Sequence, residues 1–410
     1  MSKNFSMKSK FGLSNFQLLF ISQILSQVTV NMMNFLLLAR LFETTGSSIA
    51  TSLLWVSYAL PTIFFGPIGA GIVDLISRRK ILMMTNLLQG IVIFLFIFNH
   101  DYSVFLLFAV VIAYSFLNQF YVPAESASLP SLVAKNKLPR ANSLFFLAQQ
   151  LSLIMGFGFA GIIEKAVGFK GSLAVCATLM FIAFISVYFL PNMNPTKKLK
   201  GDFEDVMKTF FNHIIEGYRY IKGNKTILYP LGLLFTIQVG LAIVTANLPA
   251  VAKEILHTSI AYVGLLIVVP AGIGATIASV LITRLLKNKW RKKKIIEISL
   301  GILAVAIISL LFWGLFIAPI AVIFIGIGFV GVNITTFTFL QEVTPEWLRG
   351  RVFGNLWFMI AIATIFPLIF SGVISEFFGV KTLLTLMALS VIVILAFSLH
   401  KGQKLIQENF

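Results

Sequence analysis

Residues 71–80 read GIVDLISRRK, a short charged stretch between two long apolar stretches of the chain. Across all 410 residues, 58% are hydrophobic and only 11% are charged, and the mean hydropathy is +0.94. A soluble globular domain is about 45–50% apolar and about 25% charged, so water is not the main solvent of this chain. The stretch at 71–80 is therefore predicted to be a loop between two helices that cross a membrane.

Further apolar stretches recur along the whole chain, and each is long enough to cross the hydrocarbon core, which takes about 20 helical residues. In a window of about 19 residues, the predicted spans lie near 13–39, 50–73, 81–98, 103–122, 143–163, 171–190, 226–247, 260–284, 294–314, 319–341, 354–375 and 380–400. We therefore predict an all-α integral membrane protein with twelve transmembrane helices in two six-helix pseudo-repeats.

The longest polar stretch, at residues 191–225, separates the two sets of spans. It predicts an N-terminal half at 1–190, a cytoplasmic linker at 191–225 and a C-terminal half at 226–410. Apolar residues from Phe203 to Ile221 recur at helical spacing within the linker, which favours an amphipathic helix in the membrane surface. A solvated connector is the alternative interpretation.

Basic residues concentrate in alternate loops and at both ends of the chain. The Lys and Arg residues on the other side are Arg40, Lys165, Lys170, Lys253 and Lys381. By the positive-inside rule, both termini and the linker are predicted to lie in the cytoplasm. The net charge of +17 does not indicate a nucleic-acid partner, because the bases are spread over short loops. Attraction to anionic membrane lipid explains them better.

The sequence contains none of the residue patterns that carry enzymatic chemistry. Cys176 is the single cysteine, so a disulfide framework or a cysteine metal site cannot form. A phosphate-binding GxxxxGK[ST] motif is absent, and neither a Ser/His/Asp nor a metal-ligand constellation stands out. We expect no enzyme activity, no cofactor and no metal, and we expect a monomer that binds a small-molecule substrate and membrane lipid.

One loop pattern occurs in both halves of the chain. Glu125, Pro130 and Arg140 precede NSLFF, and an acid, a proline and a base likewise precede NLWF in the second half. Parallel repeats of this kind place a substrate site near the bilayer midplane. The candidate coupling or gate residues in these loops are Glu125, Arg140, Glu342, Arg349 and Arg351.

Polar residues form a stripe on the first span, because Gln23, Gln27, Asn31 and Asn34 share one helical face. Such a stripe either lines a cavity or hydrogen-bonds a neighbouring helix. A second stripe begins on the fourth span and ends in a carboxylate near the cytoplasmic side; its residues are Tyr114, Asn118, Tyr121 and Glu125. Weaker candidates for the substrate cavity are Gln149, Gln150, Gln238 and Asn333. Glu125 is either a proton or cation site or a structural partner of Arg140 and the basic loop at 78–80.

The loop at 71–80 resembles the G-x-x-x-D-x-x-x-R-R/K signature of the major facilitator superfamily. The residues that match are Gly71, Asp74, Arg78, Arg79 and Lys80. The resemblance implies the major facilitator fold and a conformational latch, which stabilises the outward-facing state and breaks when the cytoplasmic side opens. The alternative is positive-inside charge with no further role. The corresponding loop of the second half, RLLKNKWRKKK at 284–294, has no acid, so we expect one latch.

Three further stretches resemble loops of the macrolide-efflux and siderophore-exporter branch of that superfamily. They are FYVPAESASLPSLVAKNKLPRANSLF at 120–145, EGYRYIKGNKTI at 216–227 and QEVTPEWLRGRVFG at 341–354. The fifth span departs from the pattern of drug antiporters, because GFGFAG at 156–161 replaces their Gly-Pro pair.

This resemblance implies a secondary transporter in the cytoplasmic (inner) membrane of a bacterium. It would work by alternating access, exporting an amphipathic drug-like compound or a siderophore, with proton antiport as the implied coupling. The alternatives are a lysophospholipid or lipid flippase, and a non-transporting membrane receptor with the same fold.

Overall fold

The structure is a computed structural model that describes residues 14–73, 76–99, 103–134, 137–193, 215, 219, 225–313, 315 and 317–406. Long helices dominate these residues. In the first part of the chain they are α1 (Asn15–Thr45), α2 (Ser48–Val73), α3 (Arg78–Asn99), α4 (Val104–Leu132) and α5 (Leu138–Tyr188). In the second part they are α6 (Lys225–Ala246), α7 (Leu248–Glu254), α8 (Val269–Lys287), α9 (Lys292–Trp313), α10 (Ala318–Val343) and α11 (Glu346–Ile406).

Ten of the described helices are long and apolar enough to cross a membrane. The two longest, α5 and α11, are each broken at a glycine with positive φ, Gly168 (φ 73) and Gly379 (φ 80). Only glycine adopts this conformation without steric cost, so each glycine divides its helix into two arms. Each arm has about 20 residues or more, enough for one crossing. The predicted all-α membrane fold is confirmed.

The chain forms two compact units. The first consists of Met1–Leu41 and Ser57–Lys208, and the second consists of Phe42–Val56 and Thr209–Phe410. The end of α1 and the start of α2 thus belong with the second unit. The predicted limits of the two halves stay a prediction. Of the amphipathic helix predicted in the linker, only residues 215 and 219 are described, and both are helical.

Glycines set the helix crossings of the first unit. A Cβ on Gly69 of α2 would lie within 3.0 Å of the Gln119 backbone of α4, and a Cβ on Gly156 of α5 would lie equally close to Asn31 of α1. The helix backbones therefore approach at positions where a side chain has no room.

The second unit uses the same device between α8 and α10. A Cβ on Gly274 would fall within 3.0 Å of the Ile323 carbonyl, and a Cβ on Gly326 would meet the Ala271 carbonyl. Gly331 of α10 likewise faces Ser299 of α9. α10 therefore packs closely against both α8 and α9.

Candidate functional site

Glu125 on α4 lies inside the first unit with 6% of its surface exposed. The Tyr121 hydroxyl, one helical turn earlier, donates a hydrogen bond to Glu125 Oε1 at 3.1 Å. The same hydroxyl lies 3.2 Å from Ser22 Oγ on α1, and Asn86 Nδ2 on α3 donates to Ser22 Oγ at 3.0 Å. We call Ser22, Asn86, Tyr121 and Glu125 the Glu125 network; it joins three helices.

The Glu125 network consists of buried side chains. A polar group in such a place is costly unless it is hydrogen-bonded, and the chain of bonds from Asn86 to Glu125 meets most of this requirement. Asn86 Oδ1 is buried and has no hydrogen-bond partner among the described residues. The network therefore contains an acceptor that could receive one more donor, and a carboxyl group that could receive a proton.

The surroundings of Glu125 bear on its two predicted roles. Arg140 is exposed at the start of α5, and no described residue forms an ion pair with Glu125. Arg78 instead donates through Nη1 to Ser131 Oγ at 3.0 Å. Within the described residues, the hydrogen-bond partner of the Glu125 carboxyl is thus the Tyr121 hydroxyl and not a base.

The polar stripe on α1 is largely used in contacts between and within helices. Gln23 Nε2 donates to the Phe145 carbonyl of α5 at 3.0 Å, and Asn34 accepts a hydrogen bond from the Tyr114 hydroxyl of α4. Asn31 donates to the Gln27 carbonyl of its own helix at 2.8 Å. The stripes on α1 and α4 meet at Asn34, where helix-to-helix hydrogen bonding accounts for the pattern.

Tyr58 of α2 completes this second cluster. Its hydroxyl lies close to the side chains of Asn34 and Asn118, and its ring lies 6.0 Å from that of Tyr114. Asn118 is half-buried. The structure therefore brings two predicted polar positions on different helices to one tyrosine that the sequence analysis did not select.

Sequence reasoning also missed Ser22 and Asn86. Asn86 and Gln89 are buried on α3 three residues apart, and Gln89 Nε2 donates to the Tyr114 carbonyl at 3.1 Å. These two amides on one face of an apolar helix are the signal that could have identified Asn86. Serine gives no such signal, because it is common in membrane helices.

None of the weaker candidates belongs to the Glu125 network. Gln149 and Gln150 are exposed on α5, and Gln238 on α6 and Asn333 on α10 are half-buried. Gln238 and Asn333 belong to the second unit, whereas the network belongs to the first. Their role in a substrate cavity stays a prediction.

The basic residues of the predicted latch have partners within the first unit. Besides its bond to Ser131, Arg78 donates its backbone N–H to the Met193 carbonyl at 3.3 Å. Arg79 donates to Asn192 Oδ1 at 3.0 Å and to the Tyr188 carbonyl, and its guanidinium lies 5.5 Å from the Tyr188 ring centroid. These contacts tie the start of α3 to the ends of α4 and α5.

The other latch residues are less constrained by the structure. Gly71 lies in the last turn of α2 and Lys80 is exposed in the first turn of α3. Asp74, the acid of the signature, lies outside the described residues. The latch function therefore stays a prediction.

The repeated acid of the second half has a different environment. Lys292 Nζ of α9 lies 2.6 Å from Glu342 Oε2 of α10, and the Glu342 side chain is 55% exposed. The side chains of Arg349 and Arg351 lie outside the described residues. Glu342 is thus a surface ion-pair residue, in contrast to Glu125, although the two acids occupy equivalent places in the repeated loop pattern.

No group of three or more His, Cys, Asp or Glu residues that could hold a metal ion occurs in the described part of the chain. Cys176 is buried and free. The side chains of the Glu125 network can form hydrogen bonds, and the Glu125 carboxyl group can bind and release a proton.

Comparison with known proteins identifies the family. The model of the Major Facilitator Superfamily matches residues 19–368. Macrolide efflux protein A of Streptococcus pyogenes is 23% identical over 89% of this chain and 90% of its own length. The uncharacterized MFS-type transporter YfmI of Bacillus subtilis (strain 168) is 22% identical over 88% of this chain and 91% of its own.

A solved structure shows the same fold. The crystal structure of the nucleoside transporter NupG aligns with a TM-score of 0.72 at 15% identity, covering 92% of this chain and 97% of that one. The resemblance found in the loop at 71–80 is confirmed by the family match, which points to a transporter and not to an enzyme. The chain belongs to the Major Facilitator Superfamily.

Proposed function

We propose that this protein is a secondary active transporter that exports an amphipathic drug-like compound or siderophore by alternating access, driven by proton antiport. In this proposal it is a monomer in the bacterial cytoplasmic membrane with both termini in the cytoplasm. Similarity to macrolide efflux protein A over 89% of the chain supports the direction and the class of substrate. The distribution of basic loops supports the orientation.

The Glu125 network is the observation that carries the proton-coupling part of the proposal. An ionisable residue inside a membrane span is expensive, and it marks an ion or proton pathway by default. The Tyr121 hydroxyl donates a hydrogen bond to Glu125, and no described residue forms an ion pair with this carboxyl group. A proton bound at Glu125 therefore removes a buried charge, and its release restores that charge within a bundle of three helices.

The scarcity of free polar groups supports an amphipathic substrate. On α1, Gln23 and Asn34 already bond to α5 and α4, and Asn31 bonds to its own helix. A mostly apolar lining with a few polar positions, such as Asn118 and Gln27, suits a compound with a large apolar body.

Thermal stability of the detergent-purified protein against a ligand panel tests the substrate class. The panel contains macrolides, other amphipathic drugs, siderophores and lysophospholipids. A ligand at 100 times its Kd stabilises the folded state by about 2.7 kcal/mol. A shift confined to drugs or siderophores supports the proposal, whereas a shift confined to lysophospholipids favours lipid flipping.

Flux measurements in proteoliposomes complete the test. A compound that stabilises the protein should be transported, and the rate should rise when a pH gradient is imposed and fall when an ionophore dissipates it. A transport rate that does not change with the pH gradient would contradict proton antiport. Binding without any transport would favour a receptor.

A further inference from the structure

The loop between α1 and α2 is fixed within the second unit by one carboxylate. Glu376, near the end of the first arm of α11, accepts a hydrogen bond from the Ile49 N–H at 2.9 Å and another from the Ser47 hydroxyl. Ile49 and Ser47 lie at the start of α2, more than 300 residues away in the chain. The contact therefore joins two distant segments of the sequence.

The Glu376 carboxylate lies where the backbone N–H groups at the start of α2 require hydrogen-bond acceptors. The first N–H groups of a helix have no partner within the helix. Ser47 is the cap of α2, because its Oγ accepts from the Ala50 N–H at 3.1 Å. Glu376 satisfies the N–H of Ile49 and places a negative charge at the positive end of the helix dipole.

Small residues bring α11 close enough for this contact. Ser375 Oγ donates to Ser48 Oγ at 3.1 Å. A Cβ on Gly372 would lie 2.6 Å from Ser52 Oγ and 2.8 Å from the Ser48 carbonyl. We call this set the Glu376 clamp; its residues are Ser47, Ser48, Ser52, Gly372, Ser375 and Glu376.

Two neighbouring contacts hold α11 in place for the clamp. Glu254 Oε2 of α7 accepts from the Val380 N–H at 3.0 Å, beside the break at Gly379. Asn247 Nδ2 donates to Ser371 Oγ at 3.1 Å. The end of the first arm of α11 is therefore bonded to Asn247, and the start of the second arm to Glu254 of α7, while Glu376 reaches α2.

We propose that Glu376 is a positioning residue that holds the start of α2 in contact with α11. Its carboxylate must break its hydrogen bonds to α2 whenever this side of the transporter opens. This side is extracellular in the orientation of the proposed function, on which the inference rests. A single capping carboxylate at an exposed position contributes little free energy, so it can break and re-form in every cycle. A wide apolar contact would not release so easily.

Cysteine labelling measures this opening without knowledge of the substrate. In a background with Cys176→Ala, a Ser52→Cys probe reports exposure of the clamp to a membrane-impermeant maleimide added outside intact cells. Ser52 is fully buried, and its hydroxyl has no hydrogen-bond partner among the described residues. The probe therefore removes no hydrogen bond, and it reacts only when α2 and α11 separate.

The labelling rates of three variants, each with one carboxylate residue changed, are compared with that of the parent protein. Glu376→Ala should raise the labelling rate about fivefold, the change that loss of one N-cap interaction produces. Glu376→Asp, which keeps the charge, should restore a rate near that of the parent. Glu43→Gln removes an exposed carboxylate from the last turn of α1 and should leave the rate unchanged.

A second substitution tests the same contact without touching the charge. Gly372→Leu should also raise labelling, because its side chain would push Ser48 and Ser52 away. Gly232→Ala is the control, since nothing lies within 4 Å of a Cβ there. Thermal melting of the purified variants checks that each one is folded.

An unchanged labelling rate in Glu376→Ala would overturn the proposal, whatever Gly372→Leu does, and so would equal acceleration by Glu43→Gln. The proposed function fails separately. If no compound is exported while labelling responds as expected, the clamp stands and the transport proposal does not.

Discussion

Tyr121 and Glu125 lie one turn apart on α4, and the tyrosine hydroxyl links the buried carboxyl group to Ser22 on α1 at 3.2 Å. This arrangement places a titratable group within a hydrogen-bond chain across α1, α3 and α4. A change in the protonation of Glu125 would therefore alter bonds between helices, and proton binding could be converted into helix movement.

Removal of the Tyr121 hydroxyl tests the structural value of that chain. Tyr121→Phe leaves Glu125 Oε1 and Ser22 Oγ without their shared partner, so the free energy of unfolding should fall by about 1–3 kcal/mol. Denaturant unfolding of the purified protein measures the change. Tyr188→Phe, at a tyrosine that is largely exposed, is the matched control and should change stability by less than about 0.5 kcal/mol.

Glycine substitutions test the crossing of α8 and α10. Gly274→Ala introduces a Cβ against the Ile323 carbonyl and should destabilise the protein by about 1–3 kcal/mol. At Gly301 of α9 the nearest atom to an added Cβ is 3.9 Å away, so Gly301→Ala should be neutral or stabilise the helix by up to about 1 kcal/mol. Equal melting temperatures for the two variants would contradict the close approach of α8 and α10.

The latch prediction separates transport from stability. Asp74→Asn should abolish most flux while the melting temperature stays unchanged, because the acid acts between conformational states. Arg79→Gln should instead lower the stability by about 1 kcal/mol, since Arg79 bonds Asn192 and the Tyr188 carbonyl within one unit. Normal flux in Asp74→Asn would show that the latch assignment is wrong.

The membrane spans could be predicted from sequence because apolar length alone determines what crosses a bilayer. The polar stripe on α1 could be predicted as well. The hydrogen-bond partners of its side chains could not, because periodicity does not identify them. Gln23 and Asn34 bond to α5 and α4. The repeated loop pattern did not indicate that its two acids have different environments. Glu125 is buried, whereas Glu342 pairs with Lys292 at the surface.

The Glu376 clamp could not be predicted from the sequence. The start of α2 shows its own serine cap, and nothing near it in the sequence indicates a missing anion. The carboxylate comes from a residue more than 300 positions away. The packing of Gly372 and Ser375 against Ser48 and Ser52 brings the two segments together in the folded protein.

Proton-coupled flux in proteoliposomes tests the central claim most directly. It compares the parent protein with Glu125→Gln and Glu342→Gln, two equivalent substitutions at the repeated acids. We expect Glu125→Gln to lose the response of transport to an imposed pH gradient, because an amide cannot bind and release the proton. Glu342→Gln should keep that response, because an exposed ion pair contributes only about 0–1 kcal/mol. An undiminished response to the gradient in Glu125→Gln would contradict the account.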